Sequence, residues 1–192
     1  MKERIDKLTV LGQRGYMSEA VILACCYLDA LGYFRYLPNS YQSRRTFITF
    51  LLRYAKDGDL AKVSLPILAR TMNSTQNPQA SRLLAWIERC KTGNKRLSSR
   101  RTILRKFKSD FSDPSELINE VRDAMLVSIF YDNVRSLGVH QGRFLVSTRA
   151  SIEVGGIGIT ASRILGWLNA SFQNVLPYLQ CTHRWIRFGK YA

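Results

Sequence analysis

The sequence predicts a mainly α-helical bundle with one short β-hairpin near residues 143–159. Apolar residues recur at three- and four-residue intervals through most of the chain, and Ser, Asn, Asp and Pro stand where helices would begin. Only RFLVST and SIEVGGIGIT carry the alternating or β-branched texture of strands. A length of 192 residues suits one domain able to bury its own core. We read a single domain over 1–192, with a core bundle at 18–180, a basic insert at 91–108 and a basic, aromatic tail at 182–192. With 46% apolar and 22% charged residues and only 12 Gly and 5 Pro, the chain is neither collagen-like, low-complexity nor wholly disordered.

The elements follow in order. Ile5, Leu8 and Leu11 build a short amphipathic segment, which Gly12 and Gly15 separate from the first core helix. That helix starts at Ser18 and Glu19 and carries Val21, Ala24, Cys25, Leu28, Leu31 and Gly32 on one side. Pro38 and Asn39 stop it. In SRRTFITFLLRYAK, Phe47, Phe50, Leu51 and Tyr54 form the stripe of a second helix, with Arg44, Arg45 and Arg53 off it. DLAKVSLPILARTM reads as a helix entered or kinked at Pro66, and NPQASRLLAWIERCK as another, with Asn77 as cap and Pro78 first. Asp113 and Pro114 open a long helix expected to run to the vicinity of Leu137. After the hairpin, TASRILGWLNASFQNVLPYL forms the last helix. No repeat of 20 to 50 residues is evident, which argues against a solenoid.

Lys and Arg total 29 against 14 Asp and Glu, a net charge of +15. Such a surface attracts polyanions, chiefly nucleic acid, although an anionic membrane answers to the same physics. The stretch from Lys91 to Lys108 holds eight bases and no acid. Lys95, Arg96, Arg100, Arg101, Arg105, Lys106 and Lys108 are its candidate phosphate contacts; a solvated loop is the plainer reading. In the tail, Arg184, Arg187 and Lys190 alternate with Trp185, Phe188 and Tyr191, a mixture suited to single-stranded nucleic acid. Docking of Trp185 and Phe188 on the protein's own core is the preferred alternative. Cys25, Cys26, Cys90 and Cys181 lack metal-ligand spacing and read as reduced core residues of a cytoplasmic protein. The most apolar stretch, Ala20 to Leu31, is shorter than the roughly 20 residues of a span, so no integral membrane association is expected.

The chain has two histidines, His140 and His183. In YDNVRSLGVHQG, Arg135 precedes His140 by an R-x4-H spacing at the end of the long amphipathic segment. The pair suits RNA cleavage without a metal. A neutral imidazole takes the proton of a ribose 2'-hydroxyl, while a guanidinium holds the phosphate that the oxygen attacks. On an unbroken helix, residues five apart diverge by about 140°. The helix must therefore yield between them, and Gly138 is the residue that allows it. One imidazole does not easily serve as base and acid at once, so a symmetric homodimer, with two motifs facing, is the economical arrangement. Asp29, in CCYLDALGYF, requires a partner if buried, and Arg135 is a candidate. Tyr131, one turn before Arg135, is placed to stack on a base or donate to phosphate. Plainer roles answer to the same residues: Arg135 paired with Asp132, His140 as a helix cap, Asp29 in a packing ion pair, and Tyr131 in the core.

With Arg135 and His140 in YDNVRSLGVHQG, the apolar helix around CCYLDALG and a helical frame between them, the chain resembles the HEPN superfamily. The resemblance covers mainly residues 18–180, at the level of architecture. It implies a compact, often dimeric helical bundle with a metal-independent ribonuclease site, Arg135 and His140 as the catalytic pair, and no cofactor. Ser136 stands directly after the arginine, where the family often has Asn, Asp or His, and is counted with Asp29 and Tyr131 as supporting. RNA as substrate, a role as toxin or defence factor and a protein antidote or regulator also follow from the resemblance. The alternative is a non-catalytic nucleic-acid-binding or scaffold protein. No P-loop, dinucleotide fingerprint, HExxH or zinc-ligand pair is present, and GGIGIT lacks the lysine of a phosphate loop.

Overall fold

The computed structural model describes residues 2–36, 43–136, 151–154 and 157–181. Among them the fold is mainly helical, as the periodicity predicts, with two small antiparallel sheets. One is a hairpin in the expected region but with a different pairing: the sequence predicts RFLVST paired with SIEVGGIGIT about Arg149 and Ala150, whereas β3 (Ser151–Val154) and β4 (Ile157–Thr160) both come from SIEVGGIGIT, and RFLVST lies outside the described residues. The chain forms two compact units. The first comprises Met1–Asp57, Tyr131–Ile152 and Ile159–Ala192; the second comprises Gly58–Phe130 and Glu153–Gly158.

Unit 1 is built from α1 (Lys2–Gln13), α2 (Met17–Tyr36), α3 (Ser43–Tyr54), a π-helical segment (Tyr131–Ser136) and α9 (Ala161–Cys181). The apolar stripes dictate the packing. Ala24, Cys25, Leu28 and Leu31 of α2 are buried where α2 meets α9, α1 and α3, together with Phe47, Phe50 and Leu51 of α3 and Ile164, Leu168 and Val175 of α9. Gly15 turns the chain between α1 and α2 at φ +93, a conformation that a side chain would strain. Gly32 admits Phe50, whose Cγ lies 3.4 Å from where a Cβ would stand. Helix α2 continues beyond the apolar run of Ala20–Leu31 through polar and aromatic residues at both ends, reaching 20 residues. By length and composition alone α2 is long enough and apolar enough to cross a membrane, a test that the core helix of a soluble protein passes equally. Of the cysteines only Cys25 belongs to the core. Cys26 and Cys181 are exposed and Cys90 is half-buried, because they fall off the apolar faces of their helices.

Unit 2 contains β1 (Lys62–Ser64), α4 (Leu65–Ser74), α5 (Ser81–Thr92), β2 (Leu97–Ser99), α6 (Arg100–Phe107), α7 (Pro114–Asp123) and α8 (Leu126–Phe130). Strand β1 pairs with β2 through Lys62↔Ser99, Val63↔Ser98 and Ser64↔Leu97. Each strand runs straight into a helix capped by its own last serine. Ser64 Oγ accepts from Ile67 N at 3.3 Å, and Ser99 Oγ from Thr102 N at 3.0 Å. Each helix is followed by a second Asx–Pro start: Asn77 Oδ1 accepts from Gln79 N, ahead of α5, and Asp113 Oδ1 from Ser115 N, opening α7. Unit 2 is thus two strand–helix–helix halves joined across one strand pair, a repetition that side-chain identity conceals. The DLAKVS portion expected as helix is turn and strand, and Pro66 sits in the first turn of α4, where its missing N–H costs nothing.

The expected continuous helix from Pro114 to Leu137 is interrupted. Ala124 O accepts from Ser64 N at 2.8 Å, Val63 bridges Met125, and Val127 N donates to Leu60 O at 3.1 Å. The segment around β1 thereby takes peptide groups that would otherwise continue the helix. The chain resumes as α8 and then widens into the π-helical segment Tyr131–Ser136.

Candidate functional site around Arg135

The π-helical segment fits more residues into each turn than an α-helix and so presents them at a narrower angular interval, an arrangement frequent where side chains are re-aimed for function. Val134 and Tyr131 of this segment point into the core of unit 1. Arg135 follows them inward and is only 6% exposed. Its Nη2 donates to Asp29 Oδ2 on α2, and its Nη1 donates to the Tyr131 hydroxyl at 3.3 Å. The Tyr131 ring lies 5.1 Å from the guanidinium carbon and meets Phe47 edge-on at 5.3 Å. An aromatic ring, a hydroxyl and a carboxylate therefore fix the guanidinium. The 20-residue α2 supplies the carboxylate because Asp29 lies one residue after buried Leu28 and four after Cys25, at the polar edge of its buried face.

Three of the residues expected to act together are thus brought together: Asp29, Tyr131 and Arg135. Ser136 ends the same segment, half-buried. His140 and Gly138 lie outside the described residues, as do Arg184 and Arg187 of the tail. Asp132 does not take the role of partner to Arg135 considered from sequence. It points outward and forms a two-bonded pair with Arg44 of α3, Nε to Oδ1 at 3.0 Å and Nη2 to Oδ2 at 2.8 Å. Burial pushes the Cys25 thiol up, aided by Cys26, and burial followed by the Asp29 charge pushes Cys26 up. Both shifts favour the neutral thiol over the thiolate. No three His, Cys, Asp or Glu side chains among the described residues cluster closely enough to hold a metal ion.

A second polar cluster in unit 1 escapes sequence inspection. Asp57 accepts from Arg163 Nε at 2.7 Å, Arg163 Nη2 at 3.0 Å and Trp167 Nε1 at 2.7 Å. Asp57 and its two α9 partners are far apart in sequence, so no local spacing could reveal them. Its carboxylate has three directed donors, and it joins the end of α3 to the start of α9.

The expected phosphate contacts Lys95, Arg96, Arg100, Arg101, Arg105, Lys106 and Lys108 are all exposed and all belong to unit 2. The second half of the basic run is helical, as expected, and forms α6; Leu97–Ser99 in its middle is strand β2. Ile103 and Phe107 of α6 are buried. Phe107 packs on Trp86 with ring centroids 5.3 Å apart, and Lys106 Nζ stands 5.3 Å from the Trp86 ring. Comparison of the chain with protein-family models, with curated proteins and with solved structures returns no match.

Proposed function

We propose that this chain is a metal-independent endoribonuclease of HEPN type, with Arg135 and His140 as its catalytic pair. The observation that carries the reading is Arg135 itself: a guanidinium held by Asp29 and Tyr131 five residues before one of the two histidines. In this reading His140 removes the proton of a ribose 2'-hydroxyl, and the 2'-oxygen attacks the adjacent phosphorus. Arg135 steadies the added negative charge, and Asp29 orients Arg135. The bond from phosphorus to the 5'-oxygen breaks, leaving a 2',3'-cyclic phosphate. The departing oxygen takes a proton from a second imidazolium, supplied by His140 of a second copy across a twofold axis. DNA is refused because it lacks the internal nucleophile. A role as toxin or defence factor, and a regulator that restrains it, accompany this reading.

The test is incubation of the protein with RNA in EDTA, comparing wild type with His140→Ala and analysing the ends. Wild type should yield cyclic-phosphate ends and His140→Ala none, with RNA affinity and melting temperature retained. Cleavage persisting in His140→Ala would reject the assignment. The burial of Arg135 favours a second reading, in which the Asp29 pair serves helix packing in a non-catalytic nucleic-acid-binding or scaffold protein. RNA binding by wild type without cleavage of any RNA offered would select it.

A further inference from the structure

The two halves of unit 2 offer an internal comparison. Aligned on their capping serines, Ser64 and Ser99, helices α4 and α6 bury corresponding residues: Leu68 matches Ile103, and Met72 matches Phe107. The other positions do not correspond in charge. Arg101 stands where α4 has Pro66, Lys106 where it has Thr71 and Lys108 where the first half has Asn73; Arg105 meets a cation, Arg70, and exposed Arg100 stands where Leu65 is buried. The first half thus forms its helix on the shared apolar pair and cap, with further burial of Leu65 and Ala69, and with uncharged residues at the positions of Arg101, Lys106 and Lys108. Their concentration on α6 calls for a reason other than folding.

The geometry points to α6, with Lys95 and Arg96 before it, as a docking surface for the phosphate backbone of RNA. Arg101, Arg105 and Lys108 recur at helical intervals along one face and span about 10 Å of axis. No carboxylate among the described residues pairs with Arg100, Arg101 or Arg105, and Asp110, just after α6, is engaged by Arg82. Three of the cations on α6 are guanidinium groups, whose planar fork suits two-point contact with phosphate. Lys106 is steadied over the Trp86 ring. An anionic lipid surface fits less well, because an interfacial helix needs an exposed apolar face, and Ile103 and Phe107 are buried. Contacts of this kind read charge and not base sequence. This inference gives no role to Arg135 or His140, so binding here and cleavage there can fail separately.

The experiment is fluorescence anisotropy of a labelled RNA hairpin titrated with full-length protein carrying His140→Ala, which prevents cleavage during the measurement. Binding is followed between about 50 and 200 mM salt. Arg100→Gln/Arg101→Gln/Arg105→Gln should weaken binding at least about tenfold at the low-salt end and flatten the log–log salt slope by about 2 to 3. Arg70→Gln, the corresponding exposed cation of the other half, should change affinity less than about twofold. Should the triple variant melt early, Arg101→Gln alone replaces it, with an expected loss of about 1 in slope. Unchanged RNA affinity and slope in the substituted, folded protein would overturn the proposal. It would also be overturned if the substitutions abolished flotation with phosphatidylserine vesicles while RNA binding persisted.

Discussion

Arg135 in unit 1 and Arg100, Arg101 and Arg105 in unit 2 carry the same chemical group in opposite situations. Arg135 is enclosed, with a carboxylate, a hydroxyl and an aromatic ring around it. The α6 arginines are exposed and form no ion pair with a carboxylate among the described residues. A charge removed from water must be compensated where it lies, so the partners of Arg135 are dictated by the interior. A hydrated charge makes no such demand and remains available for a mobile anion. Substitutions at the two places should therefore fail in different assays: the enclosed site in folding, the exposed one in binding.

The largest effect is expected at Asp29. Asp29→Ala withdraws the carboxylate from a buried guanidinium, and the side chains of Arg135 and Asp29 are only 7% and 20% exposed, so water compensates poorly. We expect a loss of about 3 kcal/mol in urea unfolding, with restoration toward wild type when Arg135→Leu accompanies Asp29→Leu. The α6 triple glutamine variant should stay within about 0.5 kcal/mol of wild type in the same experiment. If Asp29→Ala costs less than about 1 kcal/mol, the distinction between enclosed and exposed guanidinium groups collapses.

A smaller effect sharpens the comparison within one segment. Asp132 lies three residues before Arg135 and pairs with Arg44 through two good hydrogen bonds, yet the two side chains are 37% and 45% exposed. Asp132→Ala should cost about 0.5 kcal/mol, and the coupling measured by a double-mutant cycle with Arg44→Ala should fade in about 1 M salt. A several-fold smaller cost for the pair that has two good hydrogen bonds would identify burial as the deciding variable. Equal costs would return the explanation to geometry.

These cases also show what a sequence discloses. The apolar stripes of α2, α3 and α9 and the caps at Asn77 and Asp113 are local patterns, and each appears where the spacing places it. Asp29 was legible as needing a counter-charge because it is a carboxylate inside an apolar helix, and Arg135 was one candidate among the chain's 29 Lys and Arg. The break in the helix beginning at Pro114 was not legible, because its cause is the hydrogen bond of Ser64, a long-range event that no periodicity records. The halves of unit 2 were hidden for a related reason: they share two apolar positions, a serine cap and an Asx–Pro start, while their surfaces diverged. Asp57, Arg163 and Trp167 carry no common spacing at all.

The smallest effects lie on α7, where two carboxylates differ in the sign of their response to acid. Asp113, the exposed cap, has its carboxyl held below the ordinary aspartate range by hydrogen bonds from the Ser115 hydroxyl and backbone N–H. Glu120 is pushed above the ordinary glutamate range by burial, then by Asp123 and Glu116. For Asp113 the unfolded chain binds a proton more readily than the native protein. Its contribution is therefore present above the ordinary aspartate value and is lost as pH falls through the lowered native one. For Glu120 the native protein binds the proton more readily, so stability falls as pH rises from the ordinary glutamate value through the raised native one. Glu120→Gln should accordingly raise the melting temperature at pH 7 and leave it nearly unchanged at pH 3, as followed by circular dichroism. Asp113→Asn keeps a capping oxygen and should flatten only the acid limb. A Glu120→Gln melting temperature unchanged at pH 7 would mean that water reaches this carboxylate as freely as it does Asp113, and that partial burial on α7 imposes no penalty on charge.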